Sequence, residues 1–314
     1  MAQRWKSLVA RGCLPRIALP FGLACLSLAA CGSVGPAAGG DSGKLEVVAA
    51  ENFWGSLAAQ LGGDRAHVTS VISNPATDPH DYEPTAADAR SLAGARLVIV
   101  NGVGYDGWAS KLLSANPVSG RMVLDLGDLV GLKAGDNPHL WYSPRDVQRT
   151  IGAIVADYKR LDSAHAPYFE RRRTQLERRG LAGYNRLIAA IRRRFSGVPV
   201  GASESIFAPL ARGLGLRLIT PNGFLNAISE GGEPTAADKA ETDRQIARRQ
   251  IRLWVYNSQN STPDVKRLTA EARSVGIPVT TISETLVPAS ASFEDWQSRQ
   301  LQAIERALAS ATGR

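Results

Sequence analysis

At 314 residues, with 37 Lys and Arg against 29 Asp and Glu, the chain carries a formal charge of +8 and 44% hydrophobic residues. Its three cysteines are Cys13, Cys25 and Cys31, so everything after residue 31 lacks both a disulfide and a thiolate metal ligand. Any metal bound there must be held by His, Asp or Glu. No apolar run beyond the first thirty residues reaches membrane-spanning length.

The chain opens with Arg4, Lys6, Arg11 and Arg16 and no acidic residue up to position 16. The apolar run Ile17 to Ala30 follows, about the length of a signal-peptide core and too short for a stable bilayer span. Its end, Leu28-Ala29-Ala30-Cys31-Gly32, resembles the lipobox of bacterial lipoproteins, in which the cysteine thiol is acylated and becomes the new N-terminus. The resemblance implies a lipoprotein signal peptide over residues 1–30 and lipidation at Cys31. Two or three acyl chains suffice for stable anchoring. Residues 31–43 are small and flexible, as a tether between membrane and domain requires. Removing the leader takes away four cations and no anion. It leaves 284 residues with a charge of +4, so half of the basicity belongs to the export signal.

The remaining chain is long enough for a large core in two lobes. Lys44–Ala50, His67–Ile72, Arg96–Asn101 and Met122–Leu126 read as strands. Trp54–Leu61 reads as a helix, and Pro84 opens another. The second half repeats the rhythm, with strands at Val198–Ala202, Leu216–Thr220, Ile251–Tyr256 and Ile277–Ile282. Helices are predicted at Phe207–Leu214, Pro234–Ala247, Pro263–Val275 and Phe293–Leu308. This alternation predicts an α/β fold of two lobes, each a mostly parallel sheet flanked by helices.

Between them, Ala166 to Phe195 has an apolar helical stripe at Leu176, Tyr184, Leu187, Ile188, Ile191 and Phe195. Gly180 and Gly183 are weak points in it. The stretch holds nine arginines against Glu170 and Glu177, and the bland reading is a solvated helix face. Export argues against nucleic acid as a partner. The expected organisation is an N-terminal lobe over 44–165, one long rigid linking helix over 166–196 and a C-terminal lobe over 197–314.

Two of the four histidines have matching surroundings. His80 lies in Asp78-Pro79-His80-Asp81-Tyr82-Glu83-Pro84, and His139 in Asn137-Pro138-His139-Leu140-Trp141-Tyr142-Ser143-Pro144. Flanking prolines stiffen both loops, and both loops follow strands, where open α/β sheets bind ligands. Ligands already in place lose less entropy on binding. Asp81 is a candidate to orient His80 as an acceptor. His67 and His165 are read as surface positions with no role.

The two Pro-His motifs, in this order, resemble those of the solute-binding lipoproteins of zinc and manganese ABC importers, a family that includes adhesin-type lipoproteins. Asn101–Trp108 (NGVGYDGW), the long linking helix and Ile228–Thr235 (ISEGGEPT) add to the likeness. The resemblance implies one divalent ion, Zn²⁺ or Mn²⁺, held between two lobes by four side chains. His80 and His139 match the N-terminal pair. Glu204, in Gly201-Ala202-Ser203-Glu204-Ser205, matches the third ligand, which is His or Glu in the family. Glu284, in Thr281-Ile282-Ser283-Glu284-Thr285, stands where the family usually has Asp, one methylene shorter.

Two neutral imidazoles and two carboxylates neutralise a +2 ion. Singly bound they suit tetrahedral Zn²⁺; bidentate carboxylates suit Mn²⁺, and raw affinity favours Zn²⁺. The implied protein is a monomer that binds and releases the ion without bond chemistry. It would be lipid-anchored on the outer face of the cytoplasmic membrane or in the periplasm, and would serve an ABC permease with its cytoplasmic ATPase. A binding protein for a metal chelate or haem is the alternative. A secreted metallohydrolase fits less well, because four protein ligands leave no open water position.

Overall fold

The computed structural model describes residues 43–77 and 82–314. The expected signal peptide, the Cys31 anchor, His80 and Asp81 lie outside the described residues.

The N-terminal lobe runs β1 (Leu45–Glu51), α1 (Asn52–Gly62), β2 (Ala66–Ile72), α2 (Ala86–Gly94), β3 (Leu97–Val100), α3 (Gly107–Ala115), β4 (Met122–Asp125), α4 (Leu126–Val130) and α5 (Pro144–Leu161). The linking stretch is α6 (Ala166–Gln175), a π-turn (Leu176–Gly180) and α7 (Ala182–Phe195). The C-terminal lobe runs β5 (Pro199–Ala202), α8 (Ala208–Gly213), β6 (Arg217–Leu218), α9 (Asn222–Ser229), α10 (Ala236–Ala247), β7 (Trp254–Asn257), α11 (Pro263–Ser274), β8 (Val279–Ile282) and α12 (Phe293–Thr312).

Each lobe is built on one four-stranded sheet, in the orders β2-β1-β3-β4 and β6-β5-β7-β8. Every pairing is parallel. The four residues of β3, Leu-Val-Ile-Val, are all buried, as expected of a strand covered by helices on both faces. In each sheet the chain order reverses beside the inner pair, β1–β3 and β5–β7, which makes the carboxyl ends of those strands the natural ligand crevice.

The second motif's proline begins a helix as its sequence predicts. Ser143 caps α5 by accepting from the Asp146 N–H, and Pro144 occupies the first turn. Val147, Ile151, Ile154, Val155 and Tyr158 then form its buried face.

Some boundaries differ from the sequence expectation. β6 is only two residues long at a sheet edge. β8 starts at Val279, after Pro278, which has no N–H to donate to a ladder. α9 opens with Asn-Gly, a turn signal, yet is helical because Phe224, Leu225 and Ile228 are buried. The linking stretch is helical throughout but not one unbroken α-helix. Leu181 N–H bonds to the Leu176 carbonyl at 2.8 Å, closing a wider turn around Gly180.

One hydrophobic core runs through both lobes. Phe53 of α1 stacks on Trp141 with centroids 4.1 Å apart, and Tyr142 packs on Trp296 of α12. Polar contacts join the same surfaces. Gln297 donates to the Trp141 carbonyl (3.2 Å), and the Phe293 N–H donates to Ser56 Oγ (2.9 Å). Helix α12 therefore packs against α1. Among the described residues no helix is long and apolar enough to cross a membrane.

Candidate metal centre

His139 is buried at the end of a stiff loop that leads into a short 3-10 turn, Leu140–Tyr142. Its Nδ1 lies 2.8 Å from Asn137 Oδ1, and its backbone N–H donates to the same oxygen (3.0 Å). An amide oxygen only accepts, so Nδ1 carries the proton and Nε2 presents its lone pair. That nitrogen points across the cleft and lies 3.7 Å from Glu284 Oε1. Asn137 in turn donates to the Ser205 carbonyl (2.8 Å), tying this loop to the C-terminal lobe beside Glu204.

Glu204 follows β5 and Glu284 follows β8, and both are buried. A single residue joins them. Asn257, the last residue of β7, donates from its side-chain nitrogen to Oε1 of Glu204 and, at 2.9 Å, to Oε1 of Glu284. Asn260 donates to the other oxygen of Glu204 (2.6 Å). Tyr105 donates from the N-terminal lobe to Oε2 of Glu284 (2.9 Å).

Thus His139 approaches Glu284, and Asn257 joins Glu284 to Glu204. Among the described residues alone, no group of three or more His, Cys, Asp or Glu is placed to hold a metal ion. The fourth predicted ligand, His80, and its candidate partner Asp81 lie outside the described residues. His67 and His165 stand at the surface. They pair with Glu46 (2.8 Å) and Asp162 (2.7 Å), well apart in sequence and fold from the cleft.

The Asn101–Trp108 segment supports this cleft and is no nucleotide loop. Gly102, Val103 and Gly104 all have positive φ (71°, 59° and 83°), a tight reversal that two glycines make affordable. Asp106 holds the turn by accepting from the N–H groups of Asn101 (2.6 Å) and Gly102 (2.9 Å). Asn101 then donates to the Pro138 carbonyl (2.9 Å), next to His139, while its oxygen accepts from Trp54 (3.1 Å). The same turn delivers Tyr105 to Glu284.

Behind it lies a buried acidic pair. Burial pushes Asp106 up to about 6, although its backbone donors pull the other way. Glu51, fully buried at the end of β1, is pushed well above the usual carboxyl range, first by burial and then by Asp106 beside it. Both causes favour the protonated form of Glu51.

Sequence reasoning missed Asn257, Asn260 and Asn137 as parts of the site. Only Asn137, two residues from a predicted ligand, carried any signal.

The family model described as zinc-uptake complex component A, periplasmic (ZnuA) matches residues 47–307. The zinc-binding lipoprotein AdcA of Streptococcus pneumoniae is 23% identical over 292 residues, 84% of this chain and 56% of the relative. The manganese-binding lipoprotein MntA of Halalkalibacterium halodurans is 27% identical over 135 residues, 42% of this chain and 45% of the relative. The chain spans about half the length of the first of these curated relatives. A Mn-bound periplasmic metal-binding protein from Candidatus Liberibacter asiaticus has the same fold. Its TM-score is 0.71 at 19% identity, over 84% of this chain and all of the other. With a family match running across most of its length, the chain belongs to the family of zinc-uptake complex component A.

Proposed function

We propose that the chain is the exported solute-binding component of a metal ABC importer. It captures one divalent transition-metal ion between its lobes and delivers it to a membrane permease served by a cytoplasmic ATPase. The observation that carries this reading is the 3.7 Å approach of His139 Nε2 to Glu284, with Glu204 tied to the same carboxylate through Asn257. His80 completes the ligand set on the strength of its motif and the family. The names of relatives, zinc-binding AdcA and manganese-binding MntA, support a Zn²⁺ or Mn²⁺ cargo. Raw affinity favours Zn²⁺. Cys31 anchors the monomeric protein to the membrane, and the segment to residue 43 tethers it.

Binding and release are the whole chemistry. An ion of charge +2 meets two carboxylates and two neutral imidazoles, so the buried cluster closes without net charge. The lobes share one core and α12 packs against α1, which leaves little room for a wide hinge. Release therefore comes from the permease loosening the C-terminal pair, Glu204 and Glu284, on docking.

Elemental analysis of protein purified without added metal, with Zn²⁺ and Mn²⁺ titrations of wild type and Glu284→Ala, tests this. One tightly bound ion per chain, lost in the variant, is expected. A variant that binds as wild type removes Glu284 from the site.

A further inference from the structure

β7 lies between β5 and β8, the strands that deliver Glu204 and Glu284. Asn257 at its end is fully buried. A primary amide has two N–H hydrogens, and here one serves each carboxylate. The rest of the residue is occupied too. Its Oδ1 accepts from the Gln259 N–H (3.0 Å), which fixes the amide with its nitrogen toward the two glutamates. Its backbone N–H donates to Ser203 Oγ (3.2 Å), one residue from Glu204. Asn260 is held as well, because the nitrogen that donates to Glu204 also donates to the Ile228 carbonyl (3.1 Å).

When both are ionised, two buried carboxylates that share one amide nitrogen repel one another and, unless held, turn apart. Donors from fixed backbone positions oppose that motion. The parallel register of β7 with β8, Asn257 opposite Ile282, sets how far Glu284 can stand from the amide. The register of β7 with β5, Val255 opposite Ala202, does the same for Glu204.

We propose that Asn257 is the positioning residue of the C-terminal half of the metal site. Its amide clamps Glu204 and Glu284 into a preformed pair at one spacing, and Asn260 sets which way the Glu204 carboxylate faces. A pair already at its working spacing loses less entropy when the ion arrives. The spacing also decides how many oxygens the ion meets, so Asn257 bears on coordination number and hence on which metal is preferred. This inference rests on the reading of Glu204 and Glu284 as ligands.

The test uses the full processed chain, with calorimetric Zn²⁺ titrations and the visible absorption spectrum of the Co²⁺-loaded protein. Asn257→Asp keeps the shape of the side chain and its accepting oxygen but removes both donors. Asn257→Asp and Asn257→Ala are each expected to bind Zn²⁺ about 10- to 100-fold more weakly. Both should also shift the Co²⁺ bands, which report coordination geometry and which loss of a merely structural contact leaves in place.

Asn260→Ala, at a half-buried position, is expected to weaken binding about ten-fold and carries the test if the Asn257 variants do not fold. Binding within about two-fold of wild type and unchanged Co²⁺ bands, alongside lost binding in Glu284→Ala, would overturn the positioning role alone. Wild-type binding in Glu284→Ala would remove the ligand reading and this inference with it.

Discussion

Tyr105 donates its hydroxyl hydrogen to Oε2 of Glu284 at 2.9 Å, a contact from one lobe to a carboxylate of the other. Both side chains are buried, so the bond is shielded from water. Tyr105→Phe removes the donor and little else. It is expected to weaken Zn²⁺ binding about ten-fold, near the lower end for a hydrogen bond to a charged group. Isothermal titration checks this, and unchanged affinity would show that the hydroxyl does not orient Glu284 for the ion.

The Glu51–Asp106 pair predicts a pH dependence of stability. Asp106 sits near 6 in the folded chain against 3.8 for a free side chain, with burial as the main cause. The folded state thus holds a proton that the unfolded chain releases. This group's contribution is present below about pH 4 and is lost as pH rises to about 6, on the order of 3 kcal/mol in all. The Asn101 and Gly102 N–H groups bond to different oxygens of Asp106, so Asp106→Asn keeps an acceptor for one of them, loses the other bond at every pH and removes the titration. Denaturant unfolding at pH 4 and pH 7 should show the variant gaining on wild type by about that amount between the two. Parallel profiles would mean that Asp106 titrates normally.

The shared core predicts that the lobes unfold together and move little. Trp296 lies within the aromatic cluster of Phe53, Tyr142 and Phe293 and donates to Ser283 Oγ (2.9 Å), beside Glu284. Trp296→Ala is expected to cost about 3–5 kcal/mol in a single urea transition. Solution scattering of the metal-free and metal-loaded wild type should give matching profiles. A large contraction on loading would contradict release through local loosening and point to hinge closure instead.

The sequence carried the scaffold well, for local reasons. β1, β3 and β7 are apolar runs, and helices such as α5 announce their starts with Ser143 and Pro144. His139 stood out through the prolines around it. Glu204 and Glu284 did not stand out at all without the family, because a carboxylate after a strand looks like any surface loop. What binds the site together was not legible. Tyr105 and Glu284 are 179 residues apart, and Asn257 and Glu204 are 53 apart. No local pattern encodes such pairs. An asparagine at a strand end reads as the start of a turn, and only the parallel order β5-β7-β8 turns Asn257 into a bridge between two glutamates. The π-turn in the linking stretch was likewise hidden, since Gly180 signalled weakness without saying what form it takes.

The most direct measurement is anomalous diffraction at the metal edge from crystals of the processed chain grown with Zn²⁺. One peak is expected in the cleft, about 2.0–2.2 Å from Nε2 of His139, a ring nitrogen of His80 and carboxylate oxygens of Glu204 and Glu284. A peak elsewhere, or one that leaves out His139 or Glu284, would contradict capture of the ion between the two lobes.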